Sequence, residues 1–173
     1  MIDPDKANAN IDIESIGMVN DAESAAELIE SIRPIPMGDE ERAPIDKASK
    51  DLAIAIAEAA DDRKAGNITI LQTGDISYLA DFFVIVTGFS NVQVRAIANA
   101  IEGAIEDKFG RRPLRTEGLS EGRWVLKDYG EVIAHIFMPD EREFYDLEAF
   151  WGHAKRIEFV PTSPLSAERV SLK

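Results

Sequence analysis

The chain has 173 residues, is 45% hydrophobic and contains no cysteine, which excludes disulfides and thiolate metal sites. Its formal net charge is −13, and −8 of that falls in residues 1–43, which carry 11 acids and 3 bases. A negative chain is repelled by bare nucleic acid, because phosphate contacts supply most nonspecific affinity, so no direct DNA contact is expected and a basic protein is the better-matched partner. No run of about 18 apolar residues occurs, which argues against a membrane-spanning helix. The start, Met1-Ile2-Asp3-Pro4-Asp5, lacks a signal peptide's basic and apolar regions and is too acidic for a transit peptide, so the cytoplasm is the expected compartment.

Residues 1–43 contain no aromatic residue and read as an acidic, largely disordered extension. Their one periodic stretch places Ala25, Leu28, Ile29 and Ile32 at helical spacing, stopped by Arg33-Pro34. The folded domain is expected over residues 44–160. Ile45, Ala48, Leu52, Ile56 and Ala59 make a helical apolar stripe that ends at Gly66-Asn67. Ile68–Leu71 is a short strand candidate, and Ser77–Asp81 a tight turn or half-helix. Phe82–Thr87 is continuously apolar and β-prone, as a strand in the middle of a covered sheet must be.

Ser90 is the expected N-cap of a second helix, whose buried stripe is Val94, Ile97, Ala98, Ile101, Ala104 and Ile105. Arg111–Glu117 reads as an edge strand, because Pro113 cannot donate to a ladder. Within Gly122–Phe137 two strand-like runs meet at Tyr129-Gly130, and an acidic-aromatic helix follows, stopped at Gly152. Residues 161–173 read as a loose tail. The order predicts an α/β (α+β) fold with one mixed sheet of about five strands flanked by helices.

Little in the chain points to chemistry. His135 lies among Ile133, Ile136 and Phe137 and reads as a packing residue, while His153 reads as solvent-facing. No histidine pair has metal-ligand spacing, so no metal is expected, and no cofactor either. Thr87-Gly88-Phe89-Ser90-Asn91 is a strand-to-helix junction of a kind that can bind phosphate, but it matches neither glycine-rich nucleotide pattern and is read as a turn with an N-cap. Asp61-Asp62 closes a helix and is expected to face water. Asp140, Glu141 and Glu143 sit at the start of the last helix, where its dipole favours anions. Two of three tyrosines and both tryptophans lie between residues 122 and 151, on a hairpin and helix without an evident catalytic group. Such aromatics serve equally as core and as interface anchors.

At this point the motifs resemble a known family, that of the ribosomal silencing factors, also called Iojap. Tyr78–Ser90 is similar to its first conserved segment. Glu117-Gly118, Gly122, Trp124, Asp128-Tyr129-Gly130, Val132, His135 and Phe137 follow its second, and Arg142–Glu148 with Trp151 its third. The likeness spans about residues 45–152 in order. Glu131 stands where the family usually has Asp, and Ala134 replaces a branched residue.

The resemblance implies a nucleotidyltransferase-like architecture without catalytic acids, and a protein that is not an enzyme. It implies binding to the large ribosomal subunit through its L-fourteen protein, steric blocking of small-subunit joining when nutrients are scarce, and a homodimer when free. Gly88-Phe89-Ser90 falls where such enzymes carry a Gly-Ser turn, and the strand from Pro113 to Glu117 lacks their paired metal-binding acids. The alternative is a nucleotidyltransferase-like enzyme or nucleotide-binding relic. On the silencing reading the partner face holds Trp124, Leu126, Asp128, Tyr129, Glu131 and His135. Phe144 and Tyr145 frame it, although Phe144 and Leu147 suit the core better.

Overall fold

The computed structural model describes residues 44–162. The acidic extension, its Ala25–Ile32 stripe and nearly all of the expected C-terminal tail lie outside the described residues.

Helix α1 spans Lys47–Asp62, and the Asp46 side chain caps it by accepting from the Ala48 amide. Its buried residues include Leu52, Ala53, Ile56, Ala57 and Ala60, one turn-by-turn stripe, whereas Ala48 in the first turn is exposed. Strands β1 (Gly66–Gln72) and β2 (Phe82–Thr87) pair antiparallel. Helix α2 spans Asn91–Phe109. Ser90 caps it through the Gln93 amide, and Gly110, in the left-handed region, closes it. Three strands follow: β3 (Arg115–Glu117), β4 (Trp124–Asp128) and β5 (Val132–Phe137). Two short helices, α3 (Pro139–Tyr145) and α4 (Leu147–Phe150), then lead into β6 (Lys155–Ile157).

The sheet order is β3-β4-β5-β2-β1-β6, and only the β2–β5 pair is parallel. All six residues of both β2 and β5 are buried, which explains their unbroken apolar sequence. Six strands stand where about five are predicted. The addition, β6, is a three-residue edge strand beginning with Lys155-Arg156, too short and charged to show alternation. The single last helix is also corrected to two, because Asp146 adopts φ 42° and breaks the turn between them.

The period of two along each strand sorts the side chains onto two faces. On one, Ile70, Phe82, Val84, Val86, Val125, Tyr129, Val132, Ala134 and Ile136 form a core with α1 and α2. Lys127 shares that face, fully buried, its ammonium paired with Glu102 on α2 and 3.4 Å from Thr116 Oγ1. The register aligns the opposite face in rows: Trp124 with Phe137 and Thr87, Leu126 with His135 and Ile85, Asp128 with Ile133 and Phe83.

Asp61 is corrected from a solvated carboxylate: it is buried, and its Oδ2 accepts from the Thr162 amide at 2.8 Å and hydroxyl at 3.0 Å. Gly118, at φ 76°, follows β3, and a Cβ there would lie 2.0 Å from the Trp124 carbonyl oxygen. Gly118→Ala is therefore expected to destabilise the domain by roughly 2 kcal/mol or more, read as a lowered urea midpoint. An unchanged midpoint would mean that the β3–β4 connection relaxes freely.

Candidate protein-interaction surface

The second face of the sheet carries a continuous aromatic cluster. Trp124 stacks on Phe137 with ring centroids 4.8 Å apart, and Tyr145 from α3 lies 4.8 Å away, tilted by 40°. The Trp124 indole Nε1 donates to His135 Nδ1 at 3.2 Å. His135 in turn meets Phe83 edge to face at 5.0 Å, and Phe83 meets Trp151 the same way at 5.0 Å. Phe144 contacts Tyr145 at 4.9 Å and leaves 78% of its surface exposed. The cluster thus grades from a dry interior at Phe83, His135 and Trp151, through half-buried Trp124 and Tyr145, to exposed Phe144.

Side chains of α3 fasten it over this face. Arg142 donates to the Asn67 carbonyl at 2.6 Å, the Thr87 hydroxyl at 2.9 Å and the Thr69 hydroxyl at 3.3 Å, and it pairs with Glu148. Those contacts tie α3 to β1 and β2. Glu141 pairs with Arg123, next to Trp124, and the Met138 amide donates to the Arg123 carbonyl at 2.7 Å. Trp124 is therefore bracketed by α3 on one side and His135 on the other.

The hairpin end is held by charge. Arg111 forks onto Glu131 and also reaches the Tyr129 carbonyl. The Arg111 bond holds the Glu131 carboxyl below its ordinary range, against the opposing effect of burial. Asp128 accepts from the Gly130 amide at 2.8 Å, an Asx turn across Tyr129, and its other oxygen is 3.9 Å from Arg115.

The expected partner-face residues separate accordingly. Trp124, His135 and Tyr145 come together, with Leu126 opposite His135 in the ladder. Asp128 and Glu131 are partly exposed at the turn, but both face arginines of this chain. Tyr129 is corrected to the core: the period of two turns it to the α1–α2 face, where it is fully buried. Burial pushes its phenol well above the ordinary range, and among the described residues its hydroxyl has no hydrogen-bond partner. Phe144 is corrected the other way, from core to surface, because the short α3 turns it outward.

Leu126 and His135 are also buried, so neither offers direct contact area in this conformation. Phe83, Arg123, Glu141 and Arg142 escape the sequence reading as parts of the surface. Alternation against Trp124 and His135 identifies Phe137, but the three charged residues act across distances no local pattern reveals.

Burial without a compensating charge pushes the His135 imidazole down to about 3. The ordinary value is about 6.5, so between those limits the unfolded chain takes up a proton that the native state refuses. This contribution is complete above about pH 6.5 and is lost as the pH falls toward 3. Stability is expected to drop by up to about 1.4 kcal/mol per pH unit below 6.5. Urea melts from pH 7.5 to 5 check this, a window above the range where Glu131 contributes. The slope should flatten in His135→Asn, and equal slopes would contradict the assignment.

A groove of about 850 Å³ lies beside the cluster, at the β2–α2 junction, lined by residues that include Phe89, Arg142, Glu143, Asp146, Glu148 and Arg156. Three carboxylates against two guanidiniums, one already bound to Glu148, leave it without the excess positive charge a phosphate needs. Among the described residues, no group of three or more potential ligands is placed to hold a metal ion, and no helix is long and apolar enough to cross a membrane.

Residues 46–171 match the family model described as ribosomal silencing factor during starvation. This chain belongs to that family. The family's ribosomal silencing factor from Halalkalibacterium halodurans is 40% identical over 111 residues, 64% of this chain and 94% of that protein. Its counterpart from Bacillus subtilis is 42% identical over 105 residues, 61% of this chain and 88% of that protein. The chloroplastic Iojap protein of Arabidopsis thaliana is 37% identical over 118 residues, 67% of this chain and 49% of that protein. Among solved structures, a protein from Chromobacterium violaceum superposes with a TM-score of 0.58 at 32% identity, covering 68% of this chain and 98% of that one. One from Bacillus halodurans gives 0.55 at 37% identity, covering 66% and 100%. The mixed six-stranded sheet with flanking helices is the fold of a ribosomal silencing factor.

Proposed function

We propose that this protein binds the large ribosomal subunit through its L-fourteen protein and, by occupying the joining face, prevents association of the small subunit when nutrients are scarce. The observation that carries the reading is the graded aromatic cluster, with half-buried Trp124 and Tyr145 and exposed Phe144 above a rigid sheet. Large aromatics fixed before binding lose little freedom on contact, which is the property of an interface anchor. Residues 44–173 carry a net charge of −5, which suits a basic ribosomal protein. The action is regulatory and steric, with no turnover, in the cytoplasm. Without a ribosome, the same apolar surface serves a homodimer.

Co-sedimentation with separated subunits at low salt tests this. The protein is expected with the large subunit and absent from the small one. Recovery with neither at micromolar concentration would refute the proposal. The nucleotide-binding alternative predicts magnesium-dependent micromolar binding of nucleoside triphosphates in calorimetry, which the acid-lined groove disfavours.

A further inference from the structure

Trp124 is pinned by one directional bond. An indole N–H donates and never accepts, so His135 Nδ1 offers a lone pair to it at 3.2 Å. The proton of the neutral imidazole then sits on Nε2, which is buried and without a hydrogen-bond partner. A leucine at 135 would fill the space with no orphaned donor. What the histidine supplies, and an apolar residue cannot, is the acceptor facing the indole. Phe137 stacks on the Trp124 ring and Tyr145 lies against it at a tilt, which confines the plane of the indole, and the bond to His135 fixes where its N–H points.

We infer that His135 is a positioning residue for the partner surface: it never meets the partner, and it acts by holding the Trp124 indole in a single orientation. This rests on the ribosomal reading of the surface.

The test compares His135→Leu, which removes the acceptor, with His135→Asn, whose carbonyl stands close to the place of Nδ1. Two readouts are used. The first is the indole N–H resonance of Trp124 in isotope-labelled protein, assigned by its absence in Trp124→Phe; it needs no ribosome. The second is affinity for isolated large subunits. In His135→Leu the indole resonance should move upfield and affinity should fall about tenfold, while His135→Asn restores most of both. Trp124→Phe, which keeps a ring but has no donor, should lose affinity to a similar degree. Adding His135→Leu to it should cost nothing more.

A His135→Leu protein with the wild-type indole resonance, or with a moved resonance and wild-type affinity, overturns the inference. So does additive loss in the double variant. If His135→Leu does not fold, Trp124→Phe decides alone, since wild-type affinity there shows that the bond is dispensable. Failure of the wild type to bind large subunits refutes the ribosomal reading instead, and the indole resonance still decides whether His135 holds Trp124.

Discussion

Trp124→Ala is expected to weaken binding to the large subunit by about 2 kcal/mol or more, roughly thirtyfold, while the domain remains folded. The side chain is half-buried, stacked on Phe137, in tilted contact with Tyr145 and bonded to His135. Truncation therefore removes both the anchor and the lid over part of the face. A fully buried tryptophan would cost about 3–5 kcal/mol of stability, and the half-buried one should cost less. Binding and urea melting must be measured on the same preparation. Stability reduced with affinity intact would place Trp124 in the fold and outside the interface.

Phe83→Ala should give the largest stability loss of any single truncation on this face, about 3–5 kcal/mol. Phe83 lies on the second-face side of β2, fully buried between strands β5 and β1, and its ring meets both His135 and Trp151 edge to face. For a domain of this size the midpoint of thermal unfolding should fall by on the order of 12–20 °C. A fall of under about 4 °C would show that Trp151 collapses into the gap, and that the interior end of the cluster is not rigid. The two substitutions separate the roles of one cluster, because Phe83 acts through stability and Trp124 through contact.

Much of this arrangement is legible in the sequence. Phe82–Thr87 announces a central strand because burial on both faces demands an unbroken apolar run. Ser90 and Gly110 mark the ends of α2 by capping chemistry that depends on a few adjacent residues. Tyr129-Gly130 marks the hairpin for the same local reason. The misses share a different cause. β6 owes its existence to pairing with β1, and nothing in Lys155-Arg156-Ile157 announces it.

Tyr129 and Phe144 exchange places relative to expectation because an aromatic residue reads alike whichever way the strand phase or helix break turns it. Asp128 and Glu131 look like partner-facing acids until their arginines, from β3 and from the loop after α2, appear beside them. Replacing those two acids by lysine would therefore disturb the hairpin as well as the surface potential. Arg142 makes contacts 55 to 75 residues away in the chain, beyond any local pattern.

On the proposed function, a body bound at the joining face suffices to block association, with no chemistry. Light scattering on mixing purified large and small subunits, after preincubating the large subunit with increasing protein, measures it most directly. The amplitude of joining should fall in proportion to the occupied fraction of large subunits, without nucleotide, and Trp124→Ala should shift the curve to about thirtyfold higher concentration. Undiminished joining with the large subunit saturated by the protein would contradict the account.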